Sequence, residues 1–386
     1  MIKTNIPPDG TFLSSLCYES ILLALKNELD FRKFKNDVYN IINSKKNYQI
    51  KWAGRNDEYF FKGSSKSKGL SKVYRIPTLS SPQGDLIANC KMLLEGLQHD
   101  TIINLNEIII DWKIEEDKFI IGGEEITGLQ IFKCDRYSGF TAININPFEQ
   151  KTVYCSPEVA VLFLCGIVSS FIVSFMDEKR NQNLYFLFFS PEEALRLYIE
   201  GDSSLIRKYF LIKDKTIEVL KESYLRTRFN EIVLAELLLV LEIQELLNKH
   251  NLDKISFTLF KIVLEGQTYK IYEQIPIVLY RKLLFREIVE GLFRNPDKFI
   301  RKLTEIFNKK ESVVWEALES LNRKSKRDKS HKIEADNVLR AMMYLYKFVI
   351  LGDLQGYYQF VRELHNCYRK TKNNAYKEIL RELGVS

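Results

Sequence analysis

The chain has 386 residues, of which 46% are hydrophobic and 28% charged, with a formal net charge of +7. This balance excludes a disordered or fibrous chain, and the length exceeds what one hydrophobic core normally serves, so two or three domains are expected. Residues 1–150 balance acidic against basic side chains, so the whole positive surplus lies C-terminal to them. Cys17, Cys90, Cys134, Cys155, Cys165 and Cys367 form no C-x-x-C pair and no framework spacing, which predicts reduced thiols in a cytoplasmic protein. The N-terminus lacks the apolar core of a secretion signal.

In chain order, the apolar spacing predicts a helix over Phe12–Leu29 and continues through Phe34, Val38, Ile41 and Ile42. Strands are predicted at Tyr48–Trp52, Glu58–Lys62 and Val73–Ile76, with a helix from Leu86 to Leu97. Period two puts Ile108, Ile110, Trp112 and Ile114 on one face of a strand. Lys118–Ile121, a Gly122-Gly123 turn and Glu125–Lys133 predict a hairpin, followed by strands at Phe140–Ile145 and Lys151–Tyr154. Val159–Met176 is uncharged and just long enough to span a bilayer, but it is mixed in charge at its C-terminal flank and has no tryptophan belt. It predicts a central buried helix and no membrane. Leu184–Phe189 predicts a buried strand running into Ser190-Pro191-Glu192-Glu193, a helix start with serine as N-cap and proline at N1. Further helices are expected at Pro191–Ile199, Ile217–Leu225, Glu231–Asn248, Ile277–Phe293, Asp297–Asn308, Ser312–Leu321, Ile333–Leu351, Tyr357–Lys370 and Ala375–Leu383. The expected class is α+β: residues 1–155 as a mixed α/β domain with a largely antiparallel sheet, and 156–386 as a mainly helical domain.

No motif in the chain specifies an enzyme. His99, His250, His331 and His365 show no H-x-x-x-H spacing, and there is neither a Walker sequence nor G-x-G-x-x-G. His99-Asp100 is the one His-Asp doublet, without assignable further ligands. Asp111, Glu115, Glu116 and Asp117 sit at a strand and a polar turn, where solvated charge is the ordinary explanation. No catalytic residue, metal or cofactor is predicted.

Two serine-bearing basic tracts carry more. The first runs from Lys62 through Lys66, Lys68 and Lys72 to Arg75 without an acid, expected as a loop joining two strands. The second holds Arg323, Lys324, Lys326, Arg327 and Lys329 against Asp328. Between them, Asp297–Asn308 presents Lys298, Arg301 and Lys302 opposite an apolar stripe. A continuous positive surface of this kind attracts polyanions by counterion release, without needing a precise pocket. These thirteen cations are the expected nucleic-acid contacts.

The helix opened by Ser156-Pro157-Glu158, the Leu184–Phe189 strand entering Ser190-Pro191-Glu192-Glu193, and the helical C-terminal half together resemble the large subunit of archaeal type I-A CRISPR interference complexes, the Cas-eight family. The resemblance covers the chain in outline and supplies no motif that carries site residues position by position. It implies a non-enzymatic subunit of an antiviral ribonucleoprotein that helps read the protospacer-adjacent motif and hold target DNA. The implied partners are guide RNA, the CRISPR backbone and small subunits, and the recruited helicase-nuclease. The alternatives are a divergent metal-dependent nucleic-acid phosphohydrolase and a non-catalytic interaction scaffold.

Overall fold

A computed structural model describes residues 2–45, 47–65, 68–97, 103–115, 117–137, 152–176, 180–227, 232–281, 284–308, 312–322 and 329–384. The class is α+β. The chain forms two compact units: Met1–Tyr209 with Ser256–Ile277, and Phe210–Ile255 with Val278–Ser386. The division therefore falls at Tyr209 and not at residue 155, because the apolar segments that follow residue 155 complete the core of the first unit.

The first unit contains β1 (Lys3–Thr4), α1 (Phe12–Lys26), α2 (Phe31–Ser44), α3 (Arg55–Lys62), α4 (Leu70–Val73), α5 (Leu86–Gly96), β2 (Ile109–Ile110), β3 (Trp112–Ile114), β4 (Lys118–Ile121), β5 (Ile126–Thr127), β6 (Thr152–Cys155), α6 (Pro157–Ser170), β7 (Phe171–Met176), β8 (Gln182–Phe189) and α7 (Pro191–Glu200). Helix α1 is buried along almost its whole length and packs on α6 and α7. Its first free N–H groups, those of Phe12 and Leu13, donate to the two oxygens of the buried Asp135 carboxylate at 2.8 and 2.9 Å. Gly166 lets α6 cross α1 closely, since a Cβ there would lie 2.4 Å from Ser20 Oγ. The Ser156 hydroxyl caps α6 by accepting from Val159 N–H.

The uncharged run from Val159 does not continue as one helix to Met176. It leaves the helix after Ser170, where the buried Lys45 ammonium donates to the carbonyls of Val168, Ser169 and Phe171. A cation at the negative end of a helix satisfies its last carbonyls and stabilises that terminus. Among the described residues, no helix is long and apolar enough to cross a membrane.

The chain then runs through α8 (Ser203–Thr227), α9 (Ile232–His250), β9 (Lys254–Glu265) and β10 (Thr268–Tyr280). Strands β7, β8, β9 and β10 lie side by side in sequence order in one sheet. The β8–β9 register pairs Gln182 with Leu264 through to Phe189 with Phe257. Phe12 meets Phe186, Phe188 and Phe260 edge-on at 5.3 to 5.6 Å, joining α1 to this sheet. In the second sheet, β3–β4 and β5–β6 are antiparallel and β4–β6 parallel. The Gly122-Gly123 turn thus does not close a β4 hairpin: β5 pairs with β6, and 130–137 form 3₁₀ turns. The predicted Phe140–Ile145 strand lies outside the described residues.

The second unit adds α10 (Leu284–Leu292), α11 (Pro296–Asn308), α12 (Val313–Asn322), α13 (Lys329–Leu351), α14 (Leu354–Thr371) and α15 (Asn374–Glu382). Helix α13 packs on α9, α10, α12 and α14. Phe285, Phe293, Phe299, Phe348 and Tyr357 form its aromatic core, with Phe293 and Phe299 stacked at 3.9 Å. The helix predicted from Ile277 begins instead at Leu284, because 277–280 complete β10.

Candidate nucleic-acid interface

The first basic tract does not join two strands. Residues 58–62, rich in aromatics, are helical in α3, and residues 73–76 include the end of α4. Helix α3 has Asp57 and Glu58 in its first turn and Lys62 in its last, a distribution that matches the helix dipole. Its inward face buries Phe60, which meets Phe132 edge-on at 6.0 Å, and Phe61, which lies against Trp52. Asp57 is fully buried and accepts from the N–H groups of Ala53 and Gln130 at 2.6 and 2.9 Å. Burial pushes its carboxyl up to about 6, against the opposing pull of those hydrogen bonds.

After α3 the chain folds back on itself. Gly63, at φ +87, and Lys68 form an isolated antiparallel bridge, and Gly69 lies directly on the end of α3. A Cβ on Gly69 would sit 2.2 Å from Gly63 N. Leu70, Ile76 and Leu79 anchor the following turn in the core. This places Lys62, Lys72 and Arg75 around one pocket of about 490 Å³, together with Ser71, Ser80, Ile76 and Pro77. Among the described residues, no acidic side chain lines it. Lys72 and Arg75 are exposed and make no ion pair among the described residues, whereas Lys62 is held by Glu58 at 2.9 Å. Lys68 is exposed nearby in sequence, and Lys66 lies outside the described residues.

The other predicted cations have a different setting. Helix α11 buries Phe299, Leu303 and Ile306 and turns Lys298 and Arg301 toward a groove of about 1110 Å³ within the second unit. That groove also displays Asp214, Glu218, Glu242, Glu245, Asp297 and Glu305. Arg301 lies 3.9 Å from Glu305, Arg286 pairs with Asp297 at 3.1 Å, and Lys215 pairs with Glu242 at 3.4 Å. The stripe read as basic from α11 alone is therefore offset by carboxylates contributed by α8 and α9. Lys302 is half-buried. Arg281, within the helix expected over Ile277–Phe293, instead follows directly on β10 and pairs with Asp253. Arg323, Lys324, Lys326 and Arg327 lie outside the described residues, and Lys329 opens α13.

The His99-Asp100 doublet also lies outside the described residues. Among those described, no group of three or more His, Cys, Asp or Glu side chains could hold a metal ion. All six cysteines are free and buried. What the sequence missed is the convergence of Lys62, Lys72 and Arg75 on one pocket; its signal was Gly63 and Gly69, which allow the chain to close on α3.

No protein-family model matches the chain, and no solved structure does. An uncharacterized protein of Archaeoglobus fulgidus is 40% identical over 385 residues, spanning 97% of this chain and 94% of that protein. The chain belongs to one family with this archaeal protein.

Proposed function

We propose that the chain is a nucleic-acid-binding protein whose phosphate contacts are made by the pocket of Lys62, Lys72 and Arg75. The observation that carries this reading is the convergence of three cations on one concavity with no acid among the described residues of its lining. Phosphate is the common anion that such a surface suits, and two of the three cations make no ion pair among the described residues. The resemblance to the large subunit of type I-A CRISPR complexes supplies the finer version: target DNA as the ligand, guide RNA and the other subunits as neighbours, and cutting done by another protein. The mixed-charge groove on α11 is a weaker candidate, since carboxylates would repel a phosphate backbone there.

The test is titration of labelled duplex DNA over a range of salt, comparing wild type with Lys72→Ala and Arg75→Ala. Each variant should weaken binding and flatten the salt dependence by about 0.9 in the log–log slope per lost phosphate contact. Unchanged affinity and slope in both variants would sink the assignment.

A further inference from the structure

Resting on that reading of the pocket, we infer that Glu58 gates it, as an internal anion that a phosphate must displace from Lys62. Glu58 and Lys62 stand one helical turn apart on α3, with the carboxylate oxygen 2.9 Å from the ammonium. Lys62 lines the pocket and Glu58 does not. Both side chains keep access to solvent, at 38% and 37% exposure, so the pair can open without disturbing the core. Lys72 and Arg75 have no such competitor among the described residues, so the three cations are not equivalent. Two form a standing site, and the third joins when an anion already held by those two outcompetes one carboxylate.

A phosphate oxygen offers Lys62 the same charge-assisted hydrogen bond as the Glu58 carboxylate, but it also gains from Lys72 and Arg75. A single anion too small to reach Lys72 and Arg75 at the same time would leave the Glu58–Lys62 pair closed. Glu58 therefore acts as a specificity-determining residue, favouring phosphate-rich ligands over small single anions.

The experiment is the same duplex-DNA titration with Glu58→Gln, Glu58→Asp, Lys62→Ala and the Glu58→Gln/Lys62→Ala double variant. An exposed ion pair is worth little, so Glu58→Gln should tighten binding by up to about fivefold. The log–log salt slope should steepen slightly, since wild type must break a salt-weakened ion pair on binding and the variant need not. Glu58→Asp, which keeps the anion, should stay near wild type, and in the Lys62→Ala background Glu58→Gln should change nothing. A merely structural role for Glu58 would not steepen the slope. An equal gain with and without Lys62 would show general repulsion and overturn the gate, as would no gain at all. If wild type binds no DNA, or if Lys72→Ala and Arg75→Ala change nothing, the reading of the pocket fails and the gate with it.

Discussion

Asp135 shows how one buried carboxylate can cap a helix while its burial disfavours the charged form. Its two oxygens satisfy the N–H groups of Phe12 and Leu13, yet complete burial pushes its pKa up to about 6. The unfolded chain releases this proton near the ordinary aspartate value, about 4. The folded state therefore holds the proton over a window in which the unfolded state has lost it. The contribution of this group to stability is full below about pH 4 and is lost as pH rises through about 6. Two pKa units correspond to about 3 kcal/mol. Asp135→Asn removes the titration and one of the acceptors, so it should destabilise most at low pH. Urea unfolding at about pH 4 and about pH 7 should show the gap to wild type narrowing at the higher pH; a gap independent of pH would contradict the assignment. Asp57 shares the same shift and the same sense.

Among the elements, the loop between α3 and α4 depends on close backbone approach. Gly69→Ala would force a methyl to within 2.2 Å of Gly63 N and 2.5 Å of Lys62 C, and backbone cannot yield as a flexible side chain can. The strain should cost about 1–3 kcal/mol and weaken DNA binding without altering charge. Thermal unfolding with the duplex titration checks both; unchanged affinity would mean that α4 need not rest on α3 for the pocket to work. Legibility also divides by element. The starts of α6 and α7 were readable because serine, proline and glutamate caps act locally, and α5, α11, α14 and α15 because their apolar spacing is regular. Tyr59, Phe60 and Phe61 misled toward a strand, since aromatic propensity is strand-like while the flanking Gly54 and Gly63 and the core decide for helix. The β9–β10 hairpin was missed although Gly266, at φ +61, marks its turn, because its alternation competes with the helical pattern downstream. Nothing local could show that carboxylates from α8 and α9 stand opposite Arg301, since that depends on tertiary packing.

On the scale of the whole molecule, the first unit is discontinuous in sequence: it takes its last two strands largely from Ser256–Ile277. A fragment ending at residue 155 would lack α6, which packs on α1, together with β8, which carries the rings facing Phe12. Such a fragment should show no cooperative thermal transition, whereas residues 1–281 retain every segment of the unit. Circular dichroism melting of both fragments tests this, and a sharp transition for 1–155 would restore the division that composition alone suggests.

The same discontinuity sets a condition on synthesis. Strand β8 leaves the ribosome before its neighbour β9 exists, and residues 210–255 must be translated in between. During that interval the nascent chain carries an aromatic strand, Leu184–Phe189, with its β9-facing hydrogen-bonding edge open. The protein is thus most prone to wrong pairing before its sheet can close, and the pace of translation through residue 277 governs how long that exposure lasts.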